Sequence, residues 1–280
     1  MTRAVTAPVA ILLVATLLVL LAGCGTPADE TPVKHAHLGD SFAAGTGVRP
    51  LVADSSFLCQ RAEGNFGWLV AADRGADLTD VSCAGATTAD LTDAQYEGVG
   101  PQLDALDADT DLVTLALGGN DADVFATAVS ECARLGRTDP DGAPCRASLG
   151  NRLFAALDTV TRPALTAGLR AIAERAPHAR VMIVGYPWLL PPTGGCFAQV
   201  PVAAGDVAYL HRLQQRLNQV VADAAAAAGA VYVDMAQASV GHSACADPQQ
   251  RWIAPLGGVG SLHPTQLGQR AMADSVLARL

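Results

Sequence analysis

Two periods alternate along the chain from residue 34 to residue 280. Short apolar runs are separated by longer stretches in which apolar residues recur every three or four positions, the pattern of repeated β-α units around a parallel sheet. The runs 33–38, 78–83, 112–117, 180–185 and 230–234 are read as five strands. Leu210, Leu213, Leu217, Val220, Val221 and Ala224 fall on one face of a helix that ends near Gly229. Leu149, Leu153, Leu157, Val160, Leu165, Leu169 and Ile172 do the same in a longer segment, which Pro163 is placed to kink or divide. A last helix is expected over 265–280, with Thr265 as its cap after Pro264. Three stretches break the alternation: 50–67, 134–145 and 187–205. Rich in Gly, Pro and polar residues, they read as rim loops, where binding residues concentrate.

Composition adds a compartment to this picture. Half the residues are hydrophobic and 16% are charged, so a sizeable core can form. With 18 Lys and Arg against 27 Asp and Glu the formal net charge is −9, which leaves no basic footprint for nucleic acid as a partner. The chain opens with Arg3, an apolar stretch over 10–22 and the tetrapeptide Leu21-Ala22-Gly23-Cys24, the layout of an export signal. The tetrapeptide resembles the bacterial lipobox, which implies cleavage before Cys24 and a lipid on that cysteine. Residues 1–23 are then a signal peptide, 24–33 a polar, proline-bearing tether, and 34–280 one domain held at the extracellular face of the cell membrane. An ordinary signal peptide or an uncleaved anchor is the alternative. Six cysteines remain besides Cys24: Cys59, Cys83, Cys132, Cys145, Cys196 and Cys245. An even number outside the cytoplasm points to disulfides, although six cysteines allow about 15 connectivities.

Polar, glycine-bearing turns follow three of the strands. The first is Leu38-Gly39-Asp40-Ser41-Phe42, which sets a serine at the mouth of the sheet, where ligands bind in parallel α/β folds. Cys83-Ala84-Gly85-Ala86-Thr87 offers a main-chain N–H at Gly85 with no side chain in the way. Leu117-Gly118-Gly119-Asn120-Asp121 brings a side-chain amide to the same rim. Finally Ser261-Leu262-His263-Pro264-Thr265, just before the last helix, supplies a histidine able to take a proton from Ser41. Each alone reads equally well as a turn or a cap.

In this order the four blocks resemble the SGNH (GDSL) hydrolase family, and in particular its actinobacterial secreted lipases and esterases. The resemblance runs from Gly39 to Pro264. It implies a flavodoxin-like three-layer α/β/α sandwich with a five-stranded parallel sheet. It also implies that Ser41 is the nucleophile, that His263 is its general base, and that an oxyanion hole is built from the Ser41 N–H, the Gly85 N–H and the Asn120 side chain. Ester hydrolysis by this route needs no metal and no organic cofactor. The family usually carries an acid three residues before its histidine, and here that position is Gly260. In the members this chain resembles, a main-chain carbonyl accepts the histidine Nδ1–H instead, so a Ser41–His263 dyad steadied by the Gly260 carbonyl is expected. Asp234 and Asp247 are the alternatives for a third member. The same resemblance implies disulfides between successive cysteines, Cys59 with Cys83, Cys132 with Cys145 and Cys196 with Cys245.

The expected substrate is an ester or lipid, handled by a monomer. Apolar rim residues Phe57, Leu58, Trp188, Leu189, Leu190 and Phe197 favour fatty acyl esters, with loop packing as their other reading. Removal of acetyl groups from cell-wall polysaccharide is a second enzymatic reading, and a non-catalytic binding lipoprotein a third. His35 and His37 alternate on the first strand without a third metal ligand and read as structural. Asp121 and Asp123 look like half a cation site, but Asp121 belongs to the third block. Gly45-Thr46-Gly47 lacks the lysine and spacing of a phosphate loop.

Overall fold

The computed structural model describes residues 1–4 and 31–280. Cys24 and most of the expected signal peptide and tether lie outside the described residues. Within the unit Pro32–Leu280, five strands form one all-parallel sheet: β1 (Lys34–Gly39), β2 (Asp77–Asp80), β3 (Leu112–Ala116), β4 (Arg180–Val184) and β5 (Val231–Val233), in the order β2-β1-β3-β4-β5. Central β1, β3 and β4 are buried almost throughout while the edge strands β2 and β5 are half-open, as expected of a sheet covered on both faces. The helices are α1 (Ser41–Ala44), α2 (Phe66–Arg74), α3 (Val124–Gly136), α4 (Pro144–Leu149), α5 (Arg152–Ala156), α6 (Arg162–Arg175), α7 (Val207–Ala228) and α8 (Gln266–Leu277). α2 packs with α8 on one side of the sheet and α6 with α7 on the other, completing three layers. Leu38, Leu115, Met182 and Ile183 from the strands and Leu165, Leu169 and Ile172 from α6 are fully buried between them.

The strands fall where the apolar runs place them, with one shortened. The regular ladder of β2 stops at Asp80, short of the expected Cys83. Asp80 Oδ1 accepts the Ser82 N–H at 3.0 Å and its hydroxyl at 2.6 Å, a local turn that competes with pairing. Val81 and Cys83 still donate to the His37 and Gly39 carbonyls, both at 2.9 Å, so the segment stays beside β1. The long segment 149–172 is broken at Gly150, whose backbone leaves helical geometry, while from Arg152 to Arg175 the chain stays helical through a π turn over Leu157–Thr161 just ahead of Pro163, a local widening where a kink or division was expected. Proline has no N–H for the preceding turn, and the wider π turn absorbs the interruption. Two of the stretches read as loops lose ends to helix: α2 starts at Phe66, capped by Asn65, α3 runs on through Arg134 to Gly136, and α4 begins at Pro144. The last helix begins at Gln266 with Thr265 as its cap, accepting the Gly268 N–H at 3.3 Å. The three cysteine pairs are those the resemblance implies, Cys59–Cys83, Cys132–Cys145 and Cys196–Cys245.

Candidate active site

The register of the sheet builds the site. Gly39 at the end of β1 lies opposite Ala116 at the end of β3, so the turns that follow these strands are neighbours. Gly39 is required there: its φ is +117°, and a Cβ on it would lie 2.2 Å from the Ala116 carbonyl oxygen. Asp40 then caps the short α1 by accepting the Phe42 N–H at 2.8 Å, and its own N–H donates to Ala116 at 2.8 Å. Ser41 is thereby fixed at the first position of α1, only 8% exposed.

His263 reaches Ser41 from the turn before α8. Its Nε2 lies 2.7 Å from Ser41 Oγ, and its Nδ1 lies 2.7 Å from the Ser261 carbonyl oxygen. A carbonyl only accepts, so Nδ1 carries the proton of the neutral ring and Nε2 presents its lone pair to the Ser41 hydroxyl. The accepting carbonyl is therefore that of Ser261, not of Gly260 as expected. Gly260 O instead accepts the main-chain N–H of His263 at 3.0 Å. Leu262 between them has φ +56°, which turns the Ser261 carbonyl back beneath the ring. The glycine at 260 has a packing cause: its φ is +82°, and a Cβ there would lie 2.7 Å from Gly47 Cα and 3.0 Å from the Thr46 carbonyl. No acidic side chain fits at that position. Asp234 and Asp247 are exposed, and Asp234 Oδ1 serves the Ala236 N–H at 2.8 Å. Neither occupies a ring nitrogen of His263, since both nitrogens are already taken.

Phe42 and Phe125 flank the His263 ring, with centroids 5.1 and 5.5 Å away. Burial pushes the pKa of His263 below its ordinary value, and the Ser261 carbonyl partly opposes the shift. The ring is thus neutral, the form that can accept a proton, through the neutral pH range.

The second and third turns meet beside this pair. Asn120 Nδ2 donates one hydrogen to the Ala86 carbonyl at 3.0 Å, which leaves its second N–H to a ligand. Asp121 joins the same two turns by accepting the Thr88 N–H at 2.8 Å and the Thr88 hydroxyl at 3.2 Å. Among the described residues, neither the Ser41 nor the Gly85 main-chain N–H has an acceptor. Two open N–H groups and one half-committed amide are what a developing oxyanion requires.

Two buried residues that the sequence does not flag hold these turns. Gln102 pairs with Gly39, accepting its N–H at 2.7 Å and donating to its carbonyl at 3.0 Å. Tyr186 donates to Asp40 Oδ2 at 2.6 Å and accepts the Gly119 N–H at 2.9 Å. His35 and His37 lie below the site and share Thr114 Oγ1 at 2.7 and 2.8 Å, with His37 Nε2 on the Ala43 carbonyl at 3.0 Å. Of the two, His37 braces α1 from beneath.

Beside His263 opens a narrow apolar cleft. Phe125, which packs against the His263 ring, lines it together with Gly119 and Leu262, the chain neighbours of Asn120 and His263, and Ala133, Val202 and Leu217 line it as well. Of the apolar rim residues, Leu189 and Leu190 line this cleft. Trp188 instead packs against His211 with the rings tilted and their centroids 4.1 Å apart, and Phe57, Leu58 and Phe197 stand exposed outside the lining.

A parallel sheet covered on both faces, with a serine bonded to a histidine at its C-terminal rim, defines a three-layer α/β/α hydrolase. Residues 37–271 match the GDSL-like Lipase/Acylhydrolase family, and the chain belongs to that family as a carboxylic ester hydrolase. It is 46% identical over 258 residues to Lipase 2 of Streptomyces coelicolor, an alignment covering 90% of this chain and 87% of the relative. An esterase of Streptomyces scabiei is 31% identical over 84% of this chain and 79% of its own. Among solved structures, phospholipase A1 from Streptomyces albidoflavus superposes with a TM-score of 0.76 at 27% identity, and the extracellular lipase of Streptomyces rimosus with 0.75 at 27%. Each covers 89% of this chain and all of its own.

Proposed function

We propose that the protein hydrolyses fatty acyl esters through a Ser41–His263 dyad and an acyl-enzyme. The observation that carries the acyl part is the apolar cleft, which shares Phe125, Leu262 and Gly119 with the surroundings of the dyad. In this reading His263 Nε2 takes the proton as Ser41 Oγ attacks the ester carbonyl. The oxyanion rests on the Ser41 and Gly85 N–H groups and the second N–H of Asn120. The imidazolium returns its proton to the leaving alkoxide, water repeats the sequence, and the fatty acid departs. The Ser261 carbonyl fixes the tautomer and orientation of His263, although it stabilises the imidazolium less than a carboxylate would.

Export followed by lipid anchoring at Cys24 accords with this substrate. It is supported by the Leu21-Ala22-Gly23-Cys24 tetrapeptide, by three disulfide pairs and by the similarity to an extracellular lipase. The decisive experiment profiles purified protein and its Ser41→Ala variant on p-nitrophenyl esters from acetate to palmitate. Activity that rises beyond short chains and vanishes in Ser41→Ala is expected. A strict acetyl preference would overturn the fatty acyl reading, and an unchanged Ser41→Ala rate would overturn the nucleophile.

A further inference from the structure

Tyr186 follows β4 and belongs to none of the four sequence blocks, yet its hydroxyl lies between two of them. It donates to Asp40 Oδ2 at 2.6 Å and accepts the Gly119 N–H at 2.9 Å. Asp40 immediately precedes Ser41 and caps its helix through the Phe42 N–H, while Gly119 immediately precedes Asn120. Tyr186 is itself rigidly held. Its N–H donates to Asn218 Oδ1 at 2.8 Å, its carbonyl accepts Asn218 Nδ2 at 2.9 Å, and its ring meets Phe42 edge-on at 4.9 Å. Tyr186 and Asp40 are 3% and 1% exposed, so water cannot take over either bond.

From this geometry we infer that Tyr186 is a positioning residue for acyl transfer: its one hydroxyl sets the nucleophile turn and the oxyanion amide turn at a fixed distance from each other. The inference rests on the dyad and oxyanion roles proposed above. Ser41 Oγ must meet the carbonyl carbon while Asn120 meets its oxygen, and a misplacement of about 1 Å between such groups can cost on the order of a hundredfold. No other side chain is bonded to both turns among the described residues. Burial raises the Asp40 pKa to about 7, with the Tyr186 hydrogen bond acting in the opposite direction. The hydroxyl therefore also favours the carboxylate form of Asp40, the form best able to hold it.

The test is a double-substitution cycle of Tyr186→Phe and Asn120→Ala in the full chain. kcat and KM are measured on an ester the wild type hydrolyses, with rates normalised to active sites by the burst of released nitrophenol. Tyr186→Phe is expected to lower kcat by tenfold or more with KM within twofold, and to cost at least threefold less when Asn120 is already alanine. A merely structural residue would cost the same factor in both backgrounds. Equal costs, or a kcat within twofold of wild type, would overturn the inference. Should Tyr186→Phe fail to fold, Asp40→Asn in the same two backgrounds is read by the same criterion. Ser41→Ala runs alongside: if it is inert while the cycle is additive, the positioning role alone fails, and if it is fully active the dyad reading falls first.

Discussion

His263 carries the pH dependence expected of the reaction. Burial between Phe42 and Phe125 lowers its pKa, and only the neutral ring can act as base, so kcat/KM should fall as pH drops through that lowered value. The acid limb of the profile is expected below about 6.5, the ordinary histidine value. A limb near 7 would instead point to Asp40, whose pKa burial pushes up to about 7. For the oxyanion, Asn120→Ala should reduce kcat by roughly a hundredfold or more, as loss of one preorganised donor does; a loss under threefold would remove Asn120 from that role. At this scale the sequence shows Ser41, Asn120 and His263 through the order of their blocks at strand and helix ends, since each alone is an ordinary turn or cap residue. It hides those whose contribution depends on fold geometry. The Ser261 carbonyl reaches His263 only because Leu262 adopts a left-handed conformation, and nothing in the type of residue 261 or 262 announces that. Tyr186 and Gln102 look like ordinary core and loop residues until the sheet brings them to Asp40 and Gly39.

Among the elements, α3 bears most directly on specificity. Phe125 sits against His263, and Ala133, eight residues on, is about 12 Å further along the same helix at 1.5 Å per residue. Both line the apolar cleft, so under the proposed fatty acyl reading α3 would measure the acyl chain along its length. Ala133→Leu is expected to shorten the preferred chain. Excluding about two methylenes at ~0.8 kcal/mol each would reduce kcat/KM on long esters by roughly 15-fold, while acetyl and butyryl esters stay within twofold. Equal losses at every chain length would mean that the end of the cleft near Ala133 does not hold substrate. No expectation from the sequence named this helix, although Val124, Ala128, Cys132 and Gly136 recur at four residues, and its last turn, Arg134 to Gly136, falls in a stretch whose Gly and Pro content reads as loop. Composition reports an average over such a stretch, whereas the helix continues as far as its buried face finds partners. The strands were more legible because central β1, β3 and β4 are covered on both faces and therefore carry nearly unbroken apolar runs.

Across the whole molecule, stability and activity should depend on different disulfides. In the chain-entropy account a bridge stabilises more as the loop it closes lengthens. The separations of 49, 24 and 13 residues for Cys196–Cys245, Cys59–Cys83 and Cys132–Cys145 correspond to about 4, 3.5 and 3 kcal/mol. Replacing each pair by alanines should therefore lower Tm most for Cys196–Cys245, by roughly 8 to 16 °C at 2 to 4 °C per kcal/mol for a domain of this size. Activity should follow proximity to the oxyanion instead. Cys83 is two residues from Gly85, and the intervening Ala84 donates its N–H to the Cys59 carbonyl at 2.9 Å, so this bridge anchors the turn that presents the Gly85 N–H. Well below every variant's Tm, the Cys59/Cys83 double alanine variant should lose the largest factor in kcat although it is not the least stable of the three. Differential scanning calorimetry and steady-state kinetics on the three variants separate the two orders. If kcat instead ranks with Tm, with the Cys196/Cys245 variant the slowest, the bridges act only through global stability and the Gly85 turn holds its shape without its own.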